Sequence, residues 1–149
     1  MTEVGFYHLT TRSLDWALAR LLDRALSSGK RAVVLAGSTE RVEALSAQLW
    51  TFDPNAFLPH GTENDGNAEH QPVWLTAEDE NPNKAEFVML IDGQETSKLA
   101  AYERCFEIFD GRDPAQVERA RAHWTAYKQQ GHTVTYWRQT DAGGWEKGA

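Results

Sequence analysis

Two short runs, Ala32–Ala36 (AVVLA) and Glu86–Ile91 (EFVMLI), constrain this chain more than any other feature. A strand that is apolar at nearly every position has no face to give to water. It must be covered on both sides, which is the situation of a central strand in a parallel sheet flanked by helices. The segments around these runs supply the covering layers.

Val4–Leu9 (VGFYHL) reads as a first strand. Ser13 then fits an N-cap, with Asp15 in the first turn. Leu14, Ala17, Leu18, Leu21, Leu22, Ala25 and Leu26 recur at helical spacing, and Gly29 ends that helix. Gly37-Ser38-Thr39 forms a turn and cap before a second helix carrying Val42, Leu45 and Leu49. Gly61–Gln71 is a polar loop, Pro72–Thr76 a further strand and Glu78–Lys84 a second polar loop. Ser97–Phe109 has Leu99, Tyr102, Phe106 and Phe109 at helical spacing and predicts a third helix. Asp113-Pro114-Ala115-Gln116 starts a fourth, with Asp as N-cap, Pro at N1 and Gln at N3, and Gly131 closes it. Thr133–Arg138 (TVTYWR) is the last predicted strand. The expected order is β-α-β-α-β-β-α-α-β. It implies one α/β domain over residues 1–140 and a flexible Gly-rich tail over 141–149, with Trp145 as its one anchor.

Length and charge narrow the function. A chain of 149 residues suits a single domain. No apolar run reaches the roughly 20 residues of a membrane span. No secretory signal is visible at the start, and the expected location is the cytoplasm. One cysteine, Cys105, precludes an intrachain disulfide and a cysteine-rich zinc site. It sits among Tyr102, Phe106 and Phe109 as inert packing. The net charge of −7 disfavours direct nucleic-acid binding, which depends on neutralising phosphates with Lys and Arg. Net charge does not describe every face, and a local basic patch remains compatible with it.

Catalytic patterns are sparse. Gly37-Ser38-Thr39 follows an apolar strand as a phosphate loop does, but with one glycine and no lysine. His60 and His70 flank an acidic loop with Glu63, Asp65 and Glu69, without the His-x-x-x-His spacing of a zinc site. His8, near the end of the first strand, reads as a partly buried histidine. No Gly-x-Ser-x-Gly elbow exists. Two enzyme-like alternatives stand beside a binding module. One is a small nucleotide-binding protein using Gly37-Ser38-Thr39. The other is a metal-dependent hydrolase using His60, Asp65 and His70. The expectation is that the chain needs no cofactor and no metal.

The fourth helix is more telling. It carries Arg119, Arg121, His123, Trp124, Tyr127 and Lys128 within about three turns. Val117, Arg121, Trp124 and Lys128 fall on one stripe, at offsets of 4, 3 and 4. Basic and aromatic groups on one stripe suit an acidic peptide with an apolar anchor. The alternative is that Trp124 and Tyr127 pack on the sheet while the arginines are solvated.

Several segments, in order, resemble one family. They are Val4–Leu9, Ser28–Leu35 (SGKRAVVL), Leu49–His60 (LWTFDPNAFLPH) and Trp124–Gly131 (WTAYKQQG). Together they resemble the chi subunit of bacterial DNA polymerase III, over about residues 4–138. The Trp-then-Phe-x-Pro-His pattern is the most specific part. The resemblance implies a three-layer, Rossmann-like fold related to mononucleotide-binding proteins but without a phosphate loop. It also implies a non-catalytic accessory subunit of the clamp-loader assembly. Such a subunit links the replicase to single-stranded-DNA-binding protein by gripping that protein's acidic C-terminal tail, which ends in Pro-Phe, and it pairs with the psi subunit.

Carried residue by residue, the resemblance assigns the tail site to Val117, Arg121, Trp124, Lys128 and Gly131. Val117 stands where the family has a basic residue, and Trp124 where it has Tyr. The surface facing psi maps near Trp50, Phe57, Pro59 and His60.

Overall fold

A computed structural model of the chain describes residues 2–51 and 59–148. Seven strands form one sheet in the order β3-β2-β4-β5-β1-β6-β7. The strands are β1 (Glu3–Leu9), β2 (Ala32–Leu35), β3 (Val73–Thr76), β4 (Phe87–Leu90), β5 (Arg104–Asp110), β6 (Thr133–Gln139) and β7 (Trp145–Lys147). Every neighbouring pair is parallel except β6 and β7. The helices are α1 (Leu14–Ser27), α2 (Thr39–Thr51) and α3 (Pro114–Gln129).

The expected α/β sandwich is what the chain forms, and side-chain alternation along the strands explains its three layers. Tyr7, Leu9, Val34, Met89, Phe106 and Ile108 point to one side, where they pack with Leu18, Leu22, Val42 and Leu45 of α1 and α2. Val4, Phe6, Val33, Leu35 and Phe109 point to the other, where Ala120 and Tyr127 of α3 meet them. Strands β2 and β4, which form the middle of the two apolar runs, are buried at every residue.

Local signals set the helix starts. Ser13 accepts from the Trp16 N–H at 3.2 Å, and Asp113 accepts from the Ala115 N–H at 3.0 Å with Pro114 in the first turn. Gln116 does not close a capping box on Asp113. Its Oε1 instead accepts from the Asp110 N–H at 2.9 Å, tying the end of β5 to the start of α3.

The predicted third helix over Ser97–Phe109 is not there. One 3-10 turn, Leu99–Ala101, precedes a seven-residue strand, β5, which lies beside β1. The helical spacing of Leu99, Tyr102, Phe106 and Phe109 is coincidental. Cys105, Phe106, Glu107, Ile108 and Phe109 are all buried, and successive residues face opposite layers. Glu107 interrupts the apolar run and disguises it, because its partner lies far away in sequence, on α3. Cys105 is buried as expected, but on a strand. The true order is β-α-β-α-β-β-β-α-β-β. Residues 145–147 add a strand that pattern reading does not assign, and Trp145 meets the Tyr7 ring edge-on at 5.0 Å.

Candidate functional site

Helix α3 crosses β1, β5 and β6 and leaves a groove of about 510 Å³ beside it. Phe6 and His8 of β1, Phe109 of β5 and Tyr136 of β6 line the sheet side. Val117, Ala120, Arg121, Trp124 and Thr125 line the helix side. Trp124 resolves the choice between core and wall by being both. It packs on Phe6 at 5.3 Å and 60° between rings, yet stays half-buried and lines the groove. Arg121 is exposed, and among the described residues its guanidinium has no carboxylate within ion-pair distance.

Of the five residues assigned to the tail site, Val117, Arg121 and Trp124 come together here. Lys128 is exposed in the last turn of α3 and does not line the groove. Gly131 is exposed too. Its φ of 88° explains the glycine, since a Cβ there would meet nothing within 4 Å. The sheet-side residues escaped pattern reading because nothing local marks which face of a strand a distant helix will cover.

His8 is fixed at the rim of the groove. Its Nδ1 is hydrogen-bonded to the Tyr136 hydroxyl, and a Cβ on Gly111 would overlap its Nε2. Burial and the nearby Arg138 hold the imidazole below its ordinary pKa, against the pull of Asp110. A neutral imidazole and a phenol suit hydrogen bonding to a ligand's backbone or carboxylate.

Beneath α3, Glu107 is buried, and both its carboxylate oxygens lie 2.8 Å from His123 Nδ1. His123 Nε2 reaches Glu95 at 2.7 Å. The hydrogen bond that His123 donates to the Glu107 carboxylate raises the His123 pKa, and burial raises that of Glu107. This pair fixes α3 to β5 and does not line the groove.

The other candidate residues are not gathered into sites. The Gly37 N–H donates to Asp92 Oδ2 at 3.1 Å, and Arg41 pairs with the same carboxylate at 3.3 Å. The turn after β1 is filled likewise: the N–H groups of Thr10, Thr11 and Arg12 all converge on Gln139 Oε1, at 3.1, 3.0 and 2.9 Å. The Gly37 N–H and the three N–H groups after β1 are thus taken by the chain's own oxygens and do not face a phosphate. His60 is buried, with Nε2 3.2 Å from Ser46 Oγ, while Asp65 accepts from the Thr62 N–H at 2.9 Å and His70 is exposed beside Glu69. Among the described residues no three His, Cys, Asp or Glu side chains are grouped to hold a metal.

In the region assigned to psi, Pro59 is half-buried and His60 is tied inward to α2. The backbone of Trp50 belongs to α2, and Phe57 lies outside the described residues. Among the described residues no helix is long and apolar enough to cross a membrane.

The family model described as DNA polymerase III chi subunit, HolC, matches residues 1–135. The chain belongs to the DNA polymerase III chi subunit family. A relative named as a probable DNA polymerase III subunit chi, from Rickettsia prowazekii (strain Madrid E), is 28% identical over 109 residues. That alignment covers 73% of this chain and 66% of the relative, just under two thirds of its length. The chi match includes all of α3 and every groove residue except Tyr136.

Proposed function

We propose that this chi-family chain is a non-catalytic accessory subunit of the polymerase III assembly, and that its α3 groove captures the acidic C-terminal tail of single-stranded-DNA-binding protein. One observation carries the reading: the guanidinium of Arg121, unpaired among the described residues, lines an apolar groove walled by Trp124, Val117 and Phe109. A guanidinium forks a carboxylate, and the groove takes the aromatic side chain beside it. Val117 replaces a basic residue of the family, so the electrostatic share rests more heavily on Arg121. Lys128 adds a supporting field from the next turn. The Trp50–His60 region is the surface proposed for psi or another replisome protein.

A short peptide buries little area, so the affinity is micromolar in scale and falls with salt. Fluorescence anisotropy with a labelled acidic peptide ending in Pro-Phe tests this. A free terminal carboxylate should bind saturably, more weakly as salt rises, and better than the same peptide amidated. Equal binding of both peptides, independent of salt, would contradict an Arg-centred site.

A further inference from the structure

The sheet face opposite α3 carries a second cleft, of about 460 Å³. Tyr7, Phe87 and Phe106 form its floor. The Trp137 ring lies parallel to Tyr7, 6.3 Å away and 10° off, and Trp145 closes the side. A smaller cleft of about 230 Å³ continues it between α1 and residues 142–144, the two sharing Leu21, Arg24 and Trp145. Gly143 has φ 91°, and a Cβ there would stand 2.4 Å from the Trp16 ring, so only glycine lets this loop close on α1.

The charge along this face runs against the balance of the whole chain. Arg20 and Arg24 lie one turn apart on α1, Arg20 stacked 4.2 Å over Trp16. Arg104 lies 4.7 Å over Phe106, and Lys147 pairs in register with Trp137, on the side of β7 that carries Trp145. Among the described residues none of these four has a carboxylate within ion-pair distance. Lys30, at the far end, is tied to Glu103 at 3.1 Å. Four uncompensated cations around half-buried tryptophans on a protein of net charge −7 mark a place for an anion with a planar, stackable part.

We infer that this cleft binds a short segment of single-stranded nucleic acid. Arg20, Arg24 and Lys147 meet successive backbone phosphates, and Trp145 offers its ring to a base. Side chains one helical turn apart are separated by about 5–6 Å, a spacing suited to neighbouring phosphates. An acidic peptide would satisfy the cations but bring no ring for the tryptophans unless it carried an aromatic residue. The acidic remainder of the surface confines the interaction to this face and keeps it weak. This inference stands independently of the α3 groove.

The probe is a fluorescein-labelled oligothymidylate of about ten nucleotides, titrated with the full chain at low salt and followed by anisotropy and tryptophan quenching. The inference expects saturable binding, with log K falling against log salt at a slope of about −2 to −3 for three or four phosphates. The double variant Arg20→Glu/Arg24→Glu should weaken it at least tenfold. Lys147→Glu, on a separate element, should weaken it severalfold, and Arg121→Ala should leave it unchanged. Arg20, Arg24, Arg121 and Lys147 are all exposed, so the variants keep the fold. Absent binding, binding unaffected by the α1 and β7 variants, or binding lost with Arg121→Ala would overturn the inference. So would a cleft that takes an acidic peptide in place of the oligonucleotide, with competition relieved by the same α1 variants.

Discussion

His123 of α3 presents Nδ1 to both carboxylate oxygens of Glu107 on β5, each at 2.8 Å, in the buried seam between helix and sheet. The pair joins the helix that bears Arg121 and Trp124 to the strand that bears Phe109, so it sets the width of the groove from below. Removing one member of a buried pair leaves the other charged group without compensation. His123→Ala should therefore destabilise the protein by about 3 kcal/mol, the lower end for such pairs because burial already raises the Glu107 pKa and the orphaned carboxyl can take up a proton. Urea denaturation measures this.

The same pair sets a pH dependence. Glu107 holds His123 above its ordinary pKa, and burial holds Glu107 above its own. For His123 a raised folded-state value means that its contribution is full below the unfolded histidine value of about 6.5 and is lost as pH rises through the folded value. The stability difference between wild type and His123→Gln should accordingly shrink as pH is raised above about 6.5. A difference that grows across that range would contradict the assignment.

Trp124 and Phe6, 5.3 Å apart, make the groove wall part of the core. Trp124→Ala should cost about 2 kcal/mol, less than the about 3–5 of a fully buried aromatic, because Trp124 is half-exposed. It should also weaken the acidic peptide at least tenfold, whereas Trp124→Phe should retain most of both. Parallel denaturation and anisotropy titrations separate the two effects.

Asp92 occupies the Gly37 N–H, and Gln139 occupies the three N–H groups after β1. Mononucleotides should therefore give no shift in Tm at millimolar concentration, since a ligand that binds only the folded state would raise it. A rise of several degrees with one nucleotide would reopen the nucleotide-binding reading.

The layers were legible because β2 and β4 are apolar throughout and α1 and α3 carry strong caps. Strand β5 was not, because a buried glutamate reads as surface until its histidine, sixteen residues away, is seen beside it. The helix side of the groove was legible for the same reason that helices are: a stripe at offsets of 4, 3 and 4 shares one face. Phe6, His8, Phe109 and Tyr136 come from three strands and meet only through sheet register. The tail strand β7 was hidden by the glycines that surround it, although those glycines are what allow the chain to turn back on β6.

The most direct test of the account is the affinity of an acidic peptide ending in Pro-Phe, with a free carboxylate, for wild type, Arg121→Ala and the double variant Arg20→Glu/Arg24→Glu. Wild type should bind saturably at micromolar concentration, Arg121→Ala should weaken that binding at least severalfold, and the α1 variant should leave it intact. No binding by folded wild-type protein, or binding indifferent to Arg121, would contradict the account.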